Sequence, residues 1–330
     1  MNFLYALAVV SALIMLALIG GESAGPRLFF ATIAPYTAIA IFLAGVIYRT
    51  MKWARSAVPF RISTTCGQQK SLSWIRHSRL ESPCSKLGVA ARMALEILLF
   101  RSLFRNIKAD LRTGPKLVYG EEKFLWLGAL AFHWSFLIIL LRHLRFFMEP
   151  VPRFVLGLGS VDGFFQVGTP VFYSTDGIIF AALVYLLLRR LRNPQIRYIS
   201  LFSDYLALCL LLGLVSTGIL MRYFAKVDIL QIKETAVGLV TFSPRVPEGV
   251  GSLFFAHLFL LSALLAYFPF SKLMHMAGVF LSPTRNLPND SRMKRHVNPW
   301  DYPVKVHTYA EWQDEFRDKI KAAGLPLEGQ

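Results

Sequence analysis

Six stretches of this 330-residue chain are long and apolar enough to leave the backbone few choices. They run roughly over 3–20, 28–48, 124–147, 172–188, 199–221 and 252–281. A helix needs about 20 apolar residues to cross the hydrocarbon of a bilayer, where every backbone N–H and C=O must be satisfied within the segment itself. The expected fold class is therefore an all-α membrane protein with six transmembrane helices. A mean hydropathy of +0.47 and 55% hydrophobic residues agree with this, because the apolar residues fall in long runs and not in short alternations.

The formal net charge of +16 has to be located before it is given a meaning. Fifteen Lys and Arg lie between Arg49 and Lys123, four in the link from Arg189 to Arg197, and nine from Lys272 to Lys321. Six fall on what would be the other side: Arg27, Arg153, Arg222, Lys226, Lys233 and Arg245. Arg142 and Arg145 lie in the third apolar run. Positive residues collect on the cytoplasmic side of inserted helices, so the asymmetry predicts a multi-pass protein of the cell inner membrane with both termini cytoplasmic. Insertion accounts for the charge, and no nucleic-acid partner is inferred. The first run lacks a basic flank and is too long for a cleaved signal, so it is expected to stay as an anchor.

Four regions follow: an N-terminal hairpin (1–48), a basic cytoplasmic loop (49–123), a four-helix unit (124–281) and a cytoplasmic tail (282–330). Within the loop, Arg92, Glu96, Arg101, Arg105, Lys108 and Arg112 recur every three to five residues opposite Leu95, Leu98, Leu99, Leu103 and Phe104. This pattern predicts a basic amphipathic helix over 88–112, lying on the membrane surface or serving as a dock. The tail is expected to be irregular around its prolines, with a short helix near 309–323. Its aromatic residues Trp300, Tyr302, Tyr309 and Trp312 suit contact with another subunit. Cys66 and Cys84 are too isolated to build a zinc or iron-sulfur site alone and are read as plain thiols, and Cys209 falls in the fifth run.

Histidine carries the chemistry. His77, His296 and His307 lie in polar sequence, but His133 and His143 are in the third run and His257 and His275 in the sixth. An ionisable group at that depth is costly and points to function. The sixth-run pair is 18 residues apart, five whole turns, so as one helix it would share a face; the third-run pair is 10 apart, about 80° short of three turns. Because two helices intervene, the third and sixth run antiparallel. His143 is therefore expected to pair with His257 near the outer face, and His133 with His275 near the inner face. Two bis-imidazole sites stacked across a bilayer fit two six-coordinate b-type hemes, held noncovalently because no Cys-x-x-Cys-His occurs. The rises of about 15 and about 27 Å do not match along straight axes, and Pro269 is the expected place for a kink. Non-heme di-iron chemistry lacks its close His-x-x-x-His clusters, and a proton-relay transporter lacks inverted repeats and acidic partners. Arg142, beside His143, is expected to pair with a propionate of the outer heme.

The His-x9-His and His-x17-His spacings resemble the diheme cytochrome b family of nitrate reductase gamma subunits. Over the whole chain, the extra helices, basic loop and tail are similar to the DsrM-type cytochrome b of the sulfite-reduction-associated DsrMKJOP complex. The resemblance implies oxidation of menaquinol, two hemes b, and delivery of electrons to a cytoplasmic iron-sulfur subunit of the heterodisulfide-reductase type (DsrK-like) alongside further complex subunits. A quinol site needs a proton acceptor and hydrogen-bond donors near the outer heme. The outer-side candidates are Asp162, Gln166, Tyr173 and Asp176, with Arg222 and Lys226; the lysine that nitrate-reductase-type members use in the following helix has no counterpart here.

Overall fold

A computed structural model describes every residue except 57–66, 115, 165–169, 291, 294–302, 304 and 329–330. In chain order its elements are α1 (Asn2–Gly21), α2 (Ala24–Ala54, with a π-helical turn at Phe29–Ile33), α3 (Lys86–Leu99), α4 (Arg101–Phe104), β1 (Ile107–Arg112) and β2 (Lys116–Glu121). There follow α5 (Lys123–His143), α6 (Arg153–Asp162), α7 (Ser174–Arg192), α8 (Pro194–Ile199), α9 (Phe202–Ile219) and α10 (Ile229–Val240). The last are α11 (Ser252–Tyr267), α12 (His275–Leu281), α13 (Pro283–Asn286), α14 (Tyr309–Glu315) and α15 (Arg317–Ala322).

Among the described residues, five helical stretches are long and apolar enough to cross a membrane: α1, α2, Lys123–Phe146, Phe202–Ala225 and Ser252–Phe270. The remaining expected span, α7, is a 19-residue helix made less apolar by Asp176 in its first turn and Arg189, Arg190 and Arg192 in its last. It runs antiparallel to α5, with Asp176 on Arg142 at one end and Arg189 on Glu122 at the other.

The bundle is organised around α11, which packs against α1, α2 and α9, while α7 joins α5 to α9. One apolar core gathers Ala6, Val10, Ile179, Leu183, Tyr205, Leu210, Leu260 and Leu264; a second gathers Ala17, Phe30, Ala31, Met221, Phe254 and Phe255. The ends are chemically distinct. At one, Asn2 donates to the Ser200 carbonyl, Tyr267 donates to the Ser203 carbonyl, and Lys272 and Arg190 pair with Asp204. At the other, Arg27 donates to the carbonyls of Gly21 and Glu248.

Two sequence expectations need correction. The loop helix does not run from 88 to 112: α3 ends at Leu99, where Phe100 turns left-handed, and β1 and β2 pair antiparallel, Ile107 with Glu121 and Arg112 with Lys116. Gly114, at φ +84°, supplies the positive-φ residue that the tight connection requires. The all-α reading therefore gives way to a mostly helical chain with one two-stranded sheet. Nor is 252–281 a single helix. After Tyr267 come a 3-10 turn at Phe268–Phe270, an extended Ser271 and a second 3-10 turn at Lys272–Met274, and only then does α12 begin at His275. Pro269 lies at the break, and Gly45 of α2 makes room for it, since a Cβ there would sit 2.6 Å from the proline ring.

The tail folds back on the loop. The Asn289 N–H donates to the Pro83 carbonyl at 2.7 Å, and Arg285 pairs with Glu96. The expected C-terminal helix is present as α14 and α15, opened by a Thr308–Glu311 capping box. Cys66, His296, Trp300 and Tyr302 lie outside the described residues. Cys84 and the buried Cys209 are free thiols.

Candidate functional site

Of the four histidines in the apolar runs, His133 and His275 stand ring to ring, and His143 and His257 lie within electrostatic reach of each other. The rings of His133 and His275 have centroids 6.0 Å apart at 83° to each other. His143 lies at the end of α5 and His257 in the second turn of α11, close enough for a charge on one to bear on the other. Because the chain breaks between α11 and α12, the 257–275 spacing is not a straight helical rise: His275 is carried by a new helix and not by five further turns of the old one.

Each imidazole is held by the same nitrogen. Nδ1 of His133 donates to the Ala129 carbonyl at 2.7 Å, that of His143 to the Ile139 carbonyl at 2.7 Å, and that of His275 to the Lys272 carbonyl at 2.8 Å. A carbonyl can only accept, so Nδ1 carries the proton and the Nε2 lone pair is left for a metal. His257 reaches the same state by another route. Thr217 Oγ1 lies 2.9 Å from the carbonyls of Gly213 and Leu214 and 2.9 Å from His257 Nδ1. With the hydroxyl proton on either carbonyl, the threonine oxygen is free to accept from the imidazole, and that is the arrangement that leaves Nε2 for a metal. Gly218 gives the ring its space, since a Cβ there would stand 3.3 Å from His257 Cε1.

These residues fit a bis-imidazole iron. An imidazole nitrogen sits about 2.0–2.1 Å from a bound metal. Adding the nitrogen-to-centre distance on both sides gives a separation of about 6 Å, which the His133–His275 pair shows. Helices α5 and α11 are not among the closely packed helix pairs of the described residues. No three His, Cys, Asp or Glu side chains converge as a metal cluster among the described residues.

Beside the His143 end lies a polar network that sequence reading offered only as separate candidates. The Arg142 guanidinium, 6% exposed, is 2.7 Å from Asp176 and 3.1 Å from Asp162. Asp162 also accepts from the Thr175 N–H at 2.8 Å and the Thr175 hydroxyl at 2.6 Å, which caps the start of α7. Asp176 takes a further hydrogen bond from the Tyr223 hydroxyl at 2.8 Å, and Tyr223 in turn accepts from the Tyr173 N–H. The Tyr173 ring carries the guanidinia of Arg142 at 3.7 Å and Arg222 at 4.1 Å, and its hydroxyl accepts from Arg145 at 3.3 Å. Three guanidinia against two carboxylates leave one formal positive charge, and Arg222 Nε is buried without a hydrogen-bond partner.

Asp162, Tyr173, Asp176 and Arg222 thus converge on Arg142. Lys226 does not join them, being an exposed residue on a left-handed turn after α9, and Gln166 lies outside the described residues. Arg142 keeps the expected place next to His143, with its guanidinium engaged by carboxylates of this chain. Sequence reasoning missed Thr217, Thr175 and Tyr223. Only the Ser216-Thr217-Gly218 run of small residues in an otherwise bulky apolar helix hinted at a close approach there.

The profile of the nitrate reductase gamma subunit family matches residues 81–289. A relative from Archaeoglobus fulgidus, described as an Hdr-like menaquinol oxidoreductase cytochrome b-like subunit, is 47% identical over 289 residues, covering 86% of each chain. A protein of the same description from Archaeoglobus profundus is 45% identical over 274 residues, covering 81% of each chain.

Proposed function

The chain belongs to the nitrate reductase gamma subunit family, and from that membership we propose that it is the membrane cytochrome b subunit of an Hdr-like menaquinol-oxidising complex. In this reading six helices cross the cell inner membrane, α7 included, with both termini cytoplasmic. His143 and His257 hold an outer b-type heme, and His133 and His275 an inner one. Bound there, the two hemes would supply one-electron transfer. The observation that carries the reading is that all four imidazoles are held through Nδ1, three by backbone carbonyls and His257 by the Thr217 hydroxyl, which leaves the Nε2 side of each for a metal.

The chain's own residues divide the remaining work. Asp176, linked to Tyr223 and Arg142, is the proton acceptor at the outer side, and Tyr173, Arg222 and Asp162 complete the quinol pocket. Arg142 supplies positive charge beside the outer site and pairs with both aspartates. Menaquinol gives up its protons there, and electrons leave at the basic end to a cytoplasmic iron-sulfur subunit of the DsrK-like type, docked on α3 and the tail. Moving one charge across the membrane against 100 mV requires about 2.3 kcal/mol, so this arrangement conserves energy. The whole-chain pattern favours a DsrM-type subunit of dissimilatory sulfur metabolism.

A second reading, a gamma-type cytochrome b of a nitrate reductase-like complex, is favoured by the family profile itself. Two measurements decide. A pyridine hemochrome assay on the purified chain should give a heme-to-protein ratio near two, and a ratio near zero would remove both readings. Copurification should then bring down an iron-sulfur subunit of the heterodisulfide-reductase type; a nitrate-reducing partner would select the second reading.

A further inference from the structure

We propose that Phe100 is a positioning residue for His133, through which the cytoplasmic helix α3 sets the environment of the inner heme. The proposal rests on the two-heme reading and on a corner of the chain fastened from several sides. A helix leaves its last carbonyls without intrahelical partners. In α3 two of them are taken by α5: the Trp134 indole donates to the Leu98 carbonyl at 3.0 Å and the Trp126 indole to the Leu99 carbonyl at 2.7 Å. The next residue, Phe100, adopts φ 50° and ψ 48°, a left-handed conformation that is unusual for a bulky aromatic side chain.

That conformation is held on its far side as well. Ser102 donates from both N–H and hydroxyl to Glu96, at 3.1 and 2.7 Å, so that α4 begins at once. Lys123, the first residue of α5, donates to the Phe104 carbonyl at 2.8 Å and lies 3.5 Å from the Phe104 ring centre. Arg101 and Arg105 both pair with Glu81. The chain around Phe100 has little freedom to relax, and strain that persists under such restraint is a pointer to function.

The result is a ring placed on a ligand. Phe100 meets the His133 ring edge-on, with centroids 4.9 Å apart at 80°. Phe132 bounds His133 on another side at 4.9 Å, and His275 faces it at 6.0 Å. The Ala129 carbonyl fixes which nitrogen carries the proton, but a single hydrogen bond still lets the imidazole plane swing. Phe100 limits that swing, and it comes from the cytoplasmic segment and not from the bundle. The reduction potential of a heme iron responds to the packing, polarity and solvent access around its axial ligands.

The test uses the full-length, heme-loaded protein and the variants Phe100→Ala, Phe100→Gly and Phe100→Leu. The readouts are hemochrome content, potentiometric titration of each heme, and the low-spin electron paramagnetic resonance signal, whose g values follow the angle between axial imidazole planes. Phe100→Gly keeps the left-handed backbone without its steric cost and removes only the ring. We expect it and Phe100→Ala to shift the inner heme's midpoint and g value while the outer heme stays where it was. Phe100→Leu, which retains bulk and protects folding should the smaller residues compromise it, should give a smaller shift of the same sign. Variants with two hemes and parental signals, or with equal shifts at both hemes, would overturn the assignment. A parent protein without heme would instead overturn the two-heme reading on which it stands.

Discussion

Replacing Thr217 with valine removes one hydroxyl from the interior and alters the shape of the side chain very little. The carbonyls of Gly213 and Leu214 are acceptors inside α9 and lose only a supplementary donor. The cost falls on His257, whose Nδ1 loses the oxygen 2.9 Å away. A buried N–H left unsatisfied costs about 1–3 kcal/mol. If the proton moves to Nε2 instead, it occupies the lone pair that ligation needs. Outer-shell partners of metal-binding histidines are typically worth 10- to 100-fold in affinity, or about 1.4–2.8 kcal/mol, so the two estimates overlap. Thr217→Val should therefore weaken the outer heme by about 10- to 100-fold and leave the inner site alone, while Thr217→Ser, which keeps an acceptor, should stay near the parent. Titrating heme into apoprotein in detergent, with the two sites resolved in reduced-minus-oxidised spectra, measures both constants. Parental affinity in Thr217→Val would refute the shared tautomer at His257.

Substituting His143 or His257 by alanine should each remove the outer heme, and His133 or His275 the inner one, lowering the hemochrome ratio towards one; loss of the same heme from His143 and His275 variants would break the pairing. Arg142→Gln removes the guanidinium shared by buried Asp162 and partly buried Asp176, and removing one partner of a buried ion pair costs about 3–5 kcal/mol, so thermal unfolding in detergent should occur well below the parent, with partial recovery in Arg142→Gln/Asp176→Asn. Burial would raise the Glu96 carboxyl, but hydrogen bonds from Ser102 and Arg285 outweigh it and hold the group below its ordinary 4.5. A depressed carboxyl stabilises the folded state above 4.5 and loses that contribution as pH falls through its lower folded value. Tail protection from protease should accordingly decline in acid for the parent, and Glu96→Gln should abolish that dependence. Truncation after Ser282 deletes Arg285 and Asn289, the residues that tie the tail to Glu96 and Pro83, and should release the soluble iron-sulfur subunit with the heme spectrum intact.

The parts legible in the sequence are those governed by the bilayer. Long apolar runs and an uneven distribution of Lys and Arg have one physical cause each, so the long helices and the chemically distinct ends followed directly. The four histidines stood out because an imidazole in hydrocarbon demands a partner. What escaped depended on short-range geometry. Apolar spacing in Leu95 to Phe104 reads as continuous helix, and nothing in residue type announces that Phe100 will turn left-handed; Thr113-Gly114-Pro115 was the available warning of a hairpin. Pro269 marked the break in the last long helix, but not the extended Ser271 that makes it complete. Asp162, Tyr173, Asp176 and Arg222 were visible as polar residues at the right depth, yet their meeting at Arg142 depends on how α6 returns to cap α7. Thr217 gave no signal of its own, because a threonine satisfied by its own helix is common in apolar helices.

The joint at Phe268–Met274 also bears on how His275 is aimed. In an unbroken helix the direction of a side chain is fixed by its count from any earlier one, at about 100° per residue. At the joint that count stops: an extended Ser271 between two 3-10 turns resets the register, and α12 restarts from a seat set by the buried Pro269 and Met274. The direction of His275 is thereby released from the pitch of α11 and set by how the joint is packed.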